Sequence, residues 1–132
     1  MRGMPEPVEV ILLRQWASYM DYPVWIMNAG GDLIYFNEKA APLIGQSYGQ
    51  VGDIAVADIA ALFETTDLDG SPLANDELPI VRALLKREPG FRRLRFRGFD
   101  GVWRIIDTSA FPITGAGDRN LGAAVLFWEV EP

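Results

Sequence analysis

The sequence predicts an α+β domain organised around one antiparallel sheet, and three stretches carry that expectation. Residues 24–27 and 33–36 are short apolar runs rich in β-formers, and Asn28-Ala29-Gly30-Gly31-Asp32 breaks between them in the manner of a hairpin. Residues 91–97 set Arg93, Arg95 and Arg97 against Leu94 and Phe96, the cleanest strand alternation in the chain. Residues 121–130 are apolar almost throughout until Glu129, as befits a central strand covered on both faces. A helical insert separates the early hairpin from the later strands. The expectation stands on one proposition, that the two groups zip into a single sheet.

Taken in order, Pro5-Glu6-Pro7 keeps the start extended, and residues 8–22 then show helical periodicity. Val8, Ile11, Leu12, Trp16, Tyr19 and Met20 form one broad apolar stripe, with Glu9, Arg14, Gln15 and Ser18 largely elsewhere. Such a helix either packs on its own domain or dimerises with a second copy. In the hairpin, the two glycines supply the unusual backbone angles of a tight connection, while Asn28 and Asp32 are placed to bond backbone amides. Asn37 follows directly as an N-cap for Glu38-Lys39-Ala40-Ala41, and Pro42 keeps that helix short. Residues 46–53 read as a loop and residues 54–63 as one or two short helices.

Asp67, Asp69 and Gly70 resemble a calcium loop only superficially, because the Gly and the closing Glu of that pattern are out of place, so a turn is expected. Asn75 or Asp76 caps the next helix, whose apolar face is Ile80, Val81, Leu84 and Leu85, and Pro89-Gly90 ends it. Asp67, Asp69, Asp76 and Glu77 are read as capping and dipole-complementing groups, not as acid/base pairs. Asp100-Gly101 turns the chain into a long strand, residues 102–113. A two-residue turn would put Leu94 and Phe96 on one face with Trp103, Ile105 and Asp107; a three-residue loop with Gly101 left-handed pairs them with Ile106, Thr108 and Ala110. Residues 114–120 form a loop before the last strand.

Composition removes more chemistry than it adds. The chain has 132 residues, enough for one domain with its own core, and 49% hydrophobic against 23% charged residues mark it as globular. With no Cys there are no disulfides, thiolate nucleophiles, covalent Cys-linked chromophores or Cys-based zinc sites. With no His there are no imidazole bases, Ser-His-Asp triads or His-ligated haem. A net charge of −6 argues against nucleic acid and anionic membranes as partners. The apolar run at residues 8–13 is too short to span a bilayer, so a cytoplasmic protein is expected.

From about residue 20 onward the chain resembles a PAS domain. The resemblance rests on an ordered set: Tyr35-Phe36-Asn37 opening a short helix, Asp69-Gly70-Ser71-Pro72-Leu73, Glu77-Leu78-Pro79 running into Arg82-Ala83-Leu84, Asp100-Gly101, Phe111-Pro112-Ile113, and residues 122–130. It implies residues 1–22 as an N-terminal extension with an amphipathic helix, and residues 23–132 as a PAS-like domain. The fold it implies is a five-stranded antiparallel sheet in the order 2-1-5-4-3 with short helices over one face. The arginine-rich strand would lie at the sheet edge, where its charges deter aggregation. The resemblance favours the three-residue loop, which also keeps Asp107 from beneath the helices.

By the same resemblance, a ligand would lie between sheet and helices against Trp25, Met27, Leu43, Phe63, Leu94, Phe96, Ile106, Thr108, Ala110, Val125 and Phe127, with Ile44 and Leu84 nearby. Thr108 is the one hydrogen-bonding group of that set. The lining suits a fatty acyl chain, a quinone or another flat hydrophobic molecule; a plainly packed core without ligand is the alternative. Flavin chemistry of the light-oxygen-voltage type is excluded by the missing adduct cysteine, and Phe127 stands where that subfamily carries Gln. Tyr-ligated haem stays open, and no cofactor is assigned. A homodimer is expected through Val8, Ile11, Leu12, Trp16, Tyr19, Trp103 and Trp128, since Trp103, Ile105, Phe111 and Trp128 fall on the outer sheet face and demand a cover. The expected function is a non-enzymatic sensory or regulatory module for signal transduction, reading a small hydrophobic ligand or a protein partner and answering by altered association. A structural homodimerisation module with a filled core is the competing expectation. The chain ends where PAS domains hand over to an effector, so it is read as a bacterial module, either stand-alone with a separate effector protein or excised.

Overall fold

A computed structural model of the protein describes residues 6–131, so Pro5 and Pro132 lie outside the described residues. The elements run α1 (Val8–Tyr19), β1 (Val24–Asn28), β2 (Leu33–Phe36), α2 (Ala41–Ile44), α3 (Tyr48–Val51), α4 (Val56–Leu62), β3 (Glu64–Thr66), α5 (Pro79–Lys86), β4 (Gly90–Arg97), β5 (Trp103–Thr114) and β6 (Asn120–Glu129). The strands form one antiparallel sheet in the order β2-β1-β6-β5-β4-β3. Trp25 pairs with Val125, so the first and last strands meet at the centre, and both faces of β6 are buried.

The sheet has six strands where five were expected. The addition is β3, three residues that pair with Arg95, Phe96 and Arg97. So short and polar a segment, Glu64-Thr65-Thr66, has no periodicity of its own; the adjacent buried Phe63 anchors it and β4 supplies the template. The arginine strand is consequently not the sheet edge over residues 95–97. Its charges are answered within the sheet: Arg97 pairs with Glu64, Arg93 reaches Asp107 at 2.8 and 3.1 Å, and Arg95 lies 4.6 Å from the centre of the Trp103 ring.

Leu94 pairs with Ile106 and Gly101 has φ +74°, so the register of the three-residue loop is the one adopted, with Leu94, Phe96, Ile106, Thr108 and Ala110 on the helix side; the ladder itself stops at the Arg97–Trp103 pair, and residues 98–102 make the connection. Asp107 therefore faces outward, only 6% exposed beside Arg93. The hairpin tip closes on α2 where Gly98 lies against the Ile44 carbonyl; the Phe99 amide donates to that oxygen at 2.7 Å.

Two further segments differ from expectation. Residues 46–53 contain α3, a single turn closed by a Ser47/Gln50 capping box. Ile54 is a bridge partner of Leu33, not part of a helix, and α4 begins only at Val56, whose amide donates to Asp32 Oδ1 at 2.8 Å. On α5, Leu85 is 72% exposed while Ala83 and Leu84 are buried, so the apolar face is displaced by one position from the sequence reading. The helix is entered through a turn at Asn75–Glu77 and starts with Pro79 as its first residue, where a missing amide hydrogen costs nothing.

Helix α1 packs on the outer sheet face through Val10, Leu13, Ala17 and Met20, against Val24, Ile26, Ile34, Leu121 and Ala124. Met20 thus belongs to the packed face, apart from the stripe assigned to it above. That stripe, Val8, Ile11, Leu12, Trp16 and Tyr19, points to solvent, with Trp16 62% and Tyr19 79% exposed. Both sets recur at spacings of three and four, so the helix has two apolar faces and the sheet takes the smaller one.

Asn37 fastens this layer. It is 2% exposed; its Oδ1 accepts from the amides of Val24 (3.0 Å) and Ala40 (3.2 Å), and its Nδ2 donates to the carbonyls of Ala17 (2.9 Å) and Tyr22 (2.7 Å). The helix expected over residues 38–41 is a turn at 38–40 instead: Asn37 closes that turn through the Ala40 amide, while α2 begins only at Ala41 with Ala40 in its N-cap position and no side-chain cap. The Asn37 side chain joins α1, the α1–β1 linker and the start of β1.

Candidate functional site

Between the helix-facing side of the sheet and α4, α5 and the connection from β3 to α5 lies a cavity of about 670 Å³. The pocket is partly open to solvent, and its size falls within the range of small-molecule sites. The alternation of β1, β4, β5 and β6 supplies its floor: Trp25 and Met27, Leu94 and Phe96, Ile106 and Thr108, Val125 and Phe127 all line it. Phe63, immediately after α4, forms part of the wall. Its ring stands 5.2 Å from Trp25 edge-to-face, 5.7 Å from Phe96 nearly parallel, and 5.0 Å from Phe99.

Of the residues expected at a ligand, Leu43 and Ala110 are buried in the same core but do not line the cavity, and Ile44 and Leu84 likewise lie outside the lining. Within residues 56–81 the sequence named Phe63 but missed the rest of the lining, including Val56, Ile59, Leu73, Leu78 and Ile80. Their helices are short and weakly patterned. The signal was the clustering of apolar residues in an insert too small to bury them on its own.

The polar groups of the cavity are few and unevenly placed. Glu64, Thr65, Thr66 and Asn75 lie toward the exposed side, and the lining includes no Lys or Arg. The Thr108 hydroxyl donates to the Arg92 carbonyl at 2.8 Å, so its hydrogen is committed to the backbone. Trp25 Nε1 is buried without any acceptor, a donor that the sequence reading overlooked when it named Thr108 as the one polar group. Arg92, on the same face of β4, is held outside the lining by Asp67 (3.1 Å) and, more distantly, Glu77 (3.9 Å).

The carboxylates of the neighbouring turn do structural work. Asp67 Oδ1 accepts from the Leu68 amide, Asp69 from the Ser71 amide, and Glu77 from the Ala74 amide. Hydrogen bonds from Ser71 hold the Asp69 carboxyl below its ordinary value, the reverse of what a proton donor at neutral pH needs. Among the described residues, no group of three or more acidic side chains could hold a metal ion.

On the opposite side of the sheet, α1 covers Phe111 but leaves the β4–β5 end open. Trp103 is half-buried beneath Arg95 and Arg97, and Trp128 lies between Tyr22 (6.4 Å) and Phe91 (6.5 Å). Among the described residues no helix is long and apolar enough to cross a membrane.

No protein-family model matches the sequence, and no curated protein does. Solved structures match closely in shape. A light-oxygen-voltage (LOV) protein from Rhodobacter sphaeroides superposes with a TM-score of 0.72 at 13% identity, over 95% of this chain and 69% of that one. The PAS domain of the fruit-fly ELK potassium channel gives 0.70 at 13% identity, over 92% and 96% of the two chains. The PAS domain of nitrogen regulation protein NR(II) from Vibrio parahaemolyticus gives 0.63 at 19% identity, over 90% and 98%. With the strand order, the short helices over one face and these superpositions together, the fold of this chain is that of a PAS domain.

Proposed function

We propose that the chain is a sensory or regulatory module that holds a small apolar molecule between sheet and helices and reports its presence through altered association with another protein. The observation that carries this reading is the cavity itself, of about 670 Å³ and walled largely by apolar and aromatic side chains. Each superposed structure is too distant in sequence to lend its ligand or partner to this chain. The module works by binding, not by catalysis, and a ligand moves its equilibrium only by preferring one state to the other. The acidic net charge and the paired arginines of β4 favour a protein effector over nucleic acid. Native mass spectrometry of the purified protein, set beside the denatured chain and its organic extract, tests the reading. A stoichiometric small molecule, or saturable uptake from an apolar library, is expected; a cavity that takes up nothing refutes it.

A second reading, homodimerisation through α1, is favoured by the exposed face of Val8, Ile11, Leu12, Trp16 and Tyr19. Trp103 and Trp128 would extend that interface across the sheet. Trp16→Glu is expected to lower the sedimentation coefficient from that of a dimer to that of a monomer. A profile unchanged by the substitution removes α1 from the interface.

A further inference from the structure

The cavity has a mouth, and one side of that mouth is a strap tied down by a single guanidinium. The lining residues exposed to solvent are Val56 and Ala60 of α4, Glu64 of β3, and Gly70, Pro72 and Asn75 of the connection from β3 to α5, so the opening lies between α4 and that connection. The connection, residues 67–78, has little to hold it in place. Leu73 and Leu78 are half-buried against the core, and the others apart from Asp67 are exposed. Its backbone hydrogen bonds close its own turns: the amide of Asp67 donates to the carbonyl of Ser71, Gly70 to Asp67, Glu77 to Ala74 and Leu78 to Asn75. After Thr66, which lies opposite Arg95, the chain leaves β4, and the isolated Thr66–Pro72 bridge ties it back only to the end of β3.

Among the described residues, the one polar tie from this connection to β4 is Arg92. Its guanidinium holds both ends at once: Nη2 lies 3.1 Å from Asp67 Oδ2, just after β3, and Nη1 lies 3.9 Å from Glu77 Oε2, just before α5. Arg92 itself is fixed in the sheet, because it pairs with Thr108 and its carbonyl accepts from the Thr108 hydroxyl at 2.8 Å. A segment with few apolar anchors and self-contained hydrogen bonds is the part of a domain that opens at least cost. The two ion pairs are partly exposed, hence weak enough to part while the sheet stays folded. We propose that residues 67–78 are a gate over the cavity, latched by Arg92 through Asp67 and Glu77, and that release of this latch sets how fast a guest enters and leaves. The inference rests on the ligand-binding reading above and concerns the rate of exchange at that site, not the identity of the guest.

Asp67→Asn and Glu77→Gln, made together, remove both charges from the latch and leave an oxygen for the Leu68 and Ala74 amides, which donate to these side chains. The probe is N-phenyl-1-naphthylamine, an uncharged apolar fluorophore with no ionic attraction to Arg92. In stopped-flow mixing, the double variant is expected to take up and release the probe about two- to fivefold faster than the wild type, the range expected of partly exposed ion pairs. Its equilibrium Kd should move by less than about twofold, because a gate changes the path and not the bound state. Arg92→Met, which cuts the latch from the other side, should reproduce the faster exchange. Hydrogen exchange reads the latch without a guest: protection of the Gly70 and Leu78 amides should fall by a similar factor in both variants, while amides of β5 and β6 keep theirs. Unchanged rates with unchanged protection overturn the latch and leave the cavity a binding site. A weaker Kd with the entry rate unchanged also overturns it, and makes residues 67–78 part of a fixed wall. If the wild type takes up neither this probe nor any member of an apolar library, the ligand-binding reading falls and the gate with it.

Discussion

Replacing Asn37 with Ala should unfasten α1 from the sheet. The side chain is buried, and its loss strands the amides of Val24 and Ala40 and the carbonyls of Ala17 and Tyr22. The Ala17 carbonyl and the Ala40 amide each keep a second partner, the Met20 amide and the backbone carbonyl of residue 37, both at 3.1 Å, so those two losses are the mildest and the Val24 amide and Tyr22 carbonyl carry most of the cost. At about 1 kcal/mol for each net hydrogen bond, and somewhat more for a buried group left unpaired, the substitution costs about 3–4 kcal/mol. Against a total stability of roughly 5–15 kcal/mol for a domain of this kind, that is a large fraction. It corresponds to a fall in Tm of roughly 10–15 °C. Urea unfolding followed by tryptophan fluorescence and by far-ultraviolet circular dichroism measures it. Limited proteolysis of the linker around Asp21-Tyr22-Pro23 reports whether α1 has been released. Asn37→Asp is the stricter variant: it keeps the oxygen that accepts from Val24 and Ala40, removes both N–H donors and sets a second carboxylate oxygen against the Ala17 and Tyr22 carbonyls, and it should be at least as damaging. A loss below about 1 kcal/mol in both variants would refute the view that this side chain holds the helix to the sheet.

Other substitutions test separate parts of the fold. Gly98→Ala would place a Cβ 2.3 Å from the Ile44 carbonyl oxygen and is expected to cost at least about 2 kcal/mol, whereas Gly49→Ala in α3 meets nothing closer than 3.9 Å and should be near neutral; similar melting temperatures for the two would contradict the close approach. The hydrogen bonds and charge of Arg93 hold the Asp107 carboxyl below its ordinary 3.8, so its contribution to stability is present above that value and lost as pH falls through the lower folded one. The stability difference between wild type and Asp107→Asn should therefore be constant near neutral pH and shrink on acidification below about pH 4, as read from urea unfolding across that range. The depressed carboxyls of Asp69 and Asp100 cancel in that difference, and a gap independent of pH would refute the pairing.

Much of the sheet was legible because alternation is a local signal. Leu94 and Phe96 against three arginines fixed the face of β4, and the unbroken apolar character of β6 marked it as central. The turn between β4 and β5 left two registers open from the residues alone; Gly101 in a left-handed conformation selects one, and the pleat then carries that choice along all of β5. What stayed hidden depends on tertiary context. β3 exists because β4 has an edge to offer, a fact invisible in Glu64-Thr65-Thr66. On α1 the stripe read from the sequence takes the exposed residues and Met20 but passes over Val10, Leu13 and Ala17, which recur at the same spacing; only the position of the sheet tells the two faces apart. For the cavity, the strand residues could be named from their alternation, but the emptiness in front of them depends on how far α4 and α5 stand off, which no residue pattern records. Trp25 was counted as apolar bulk because a tryptophan nitrogen is ordinarily satisfied; its exception is a property of the packed molecule.

Strands β1 and β6 divide the molecule in a way that bears on how a signal would travel. Trp25, Val125 and Phe127 look into the cavity, while Val24, Ile26 and Ala124, their immediate neighbours in the chain, bear on α1. A single thickness of backbone is thus the whole partition between the guest's chamber and the helix that carries Trp16 to the surface. On the proposed reading, flexing of that diaphragm by a guest on one side would reach the other without a relay of intervening residues, and the helix would need no contact with the guest to register its arrival.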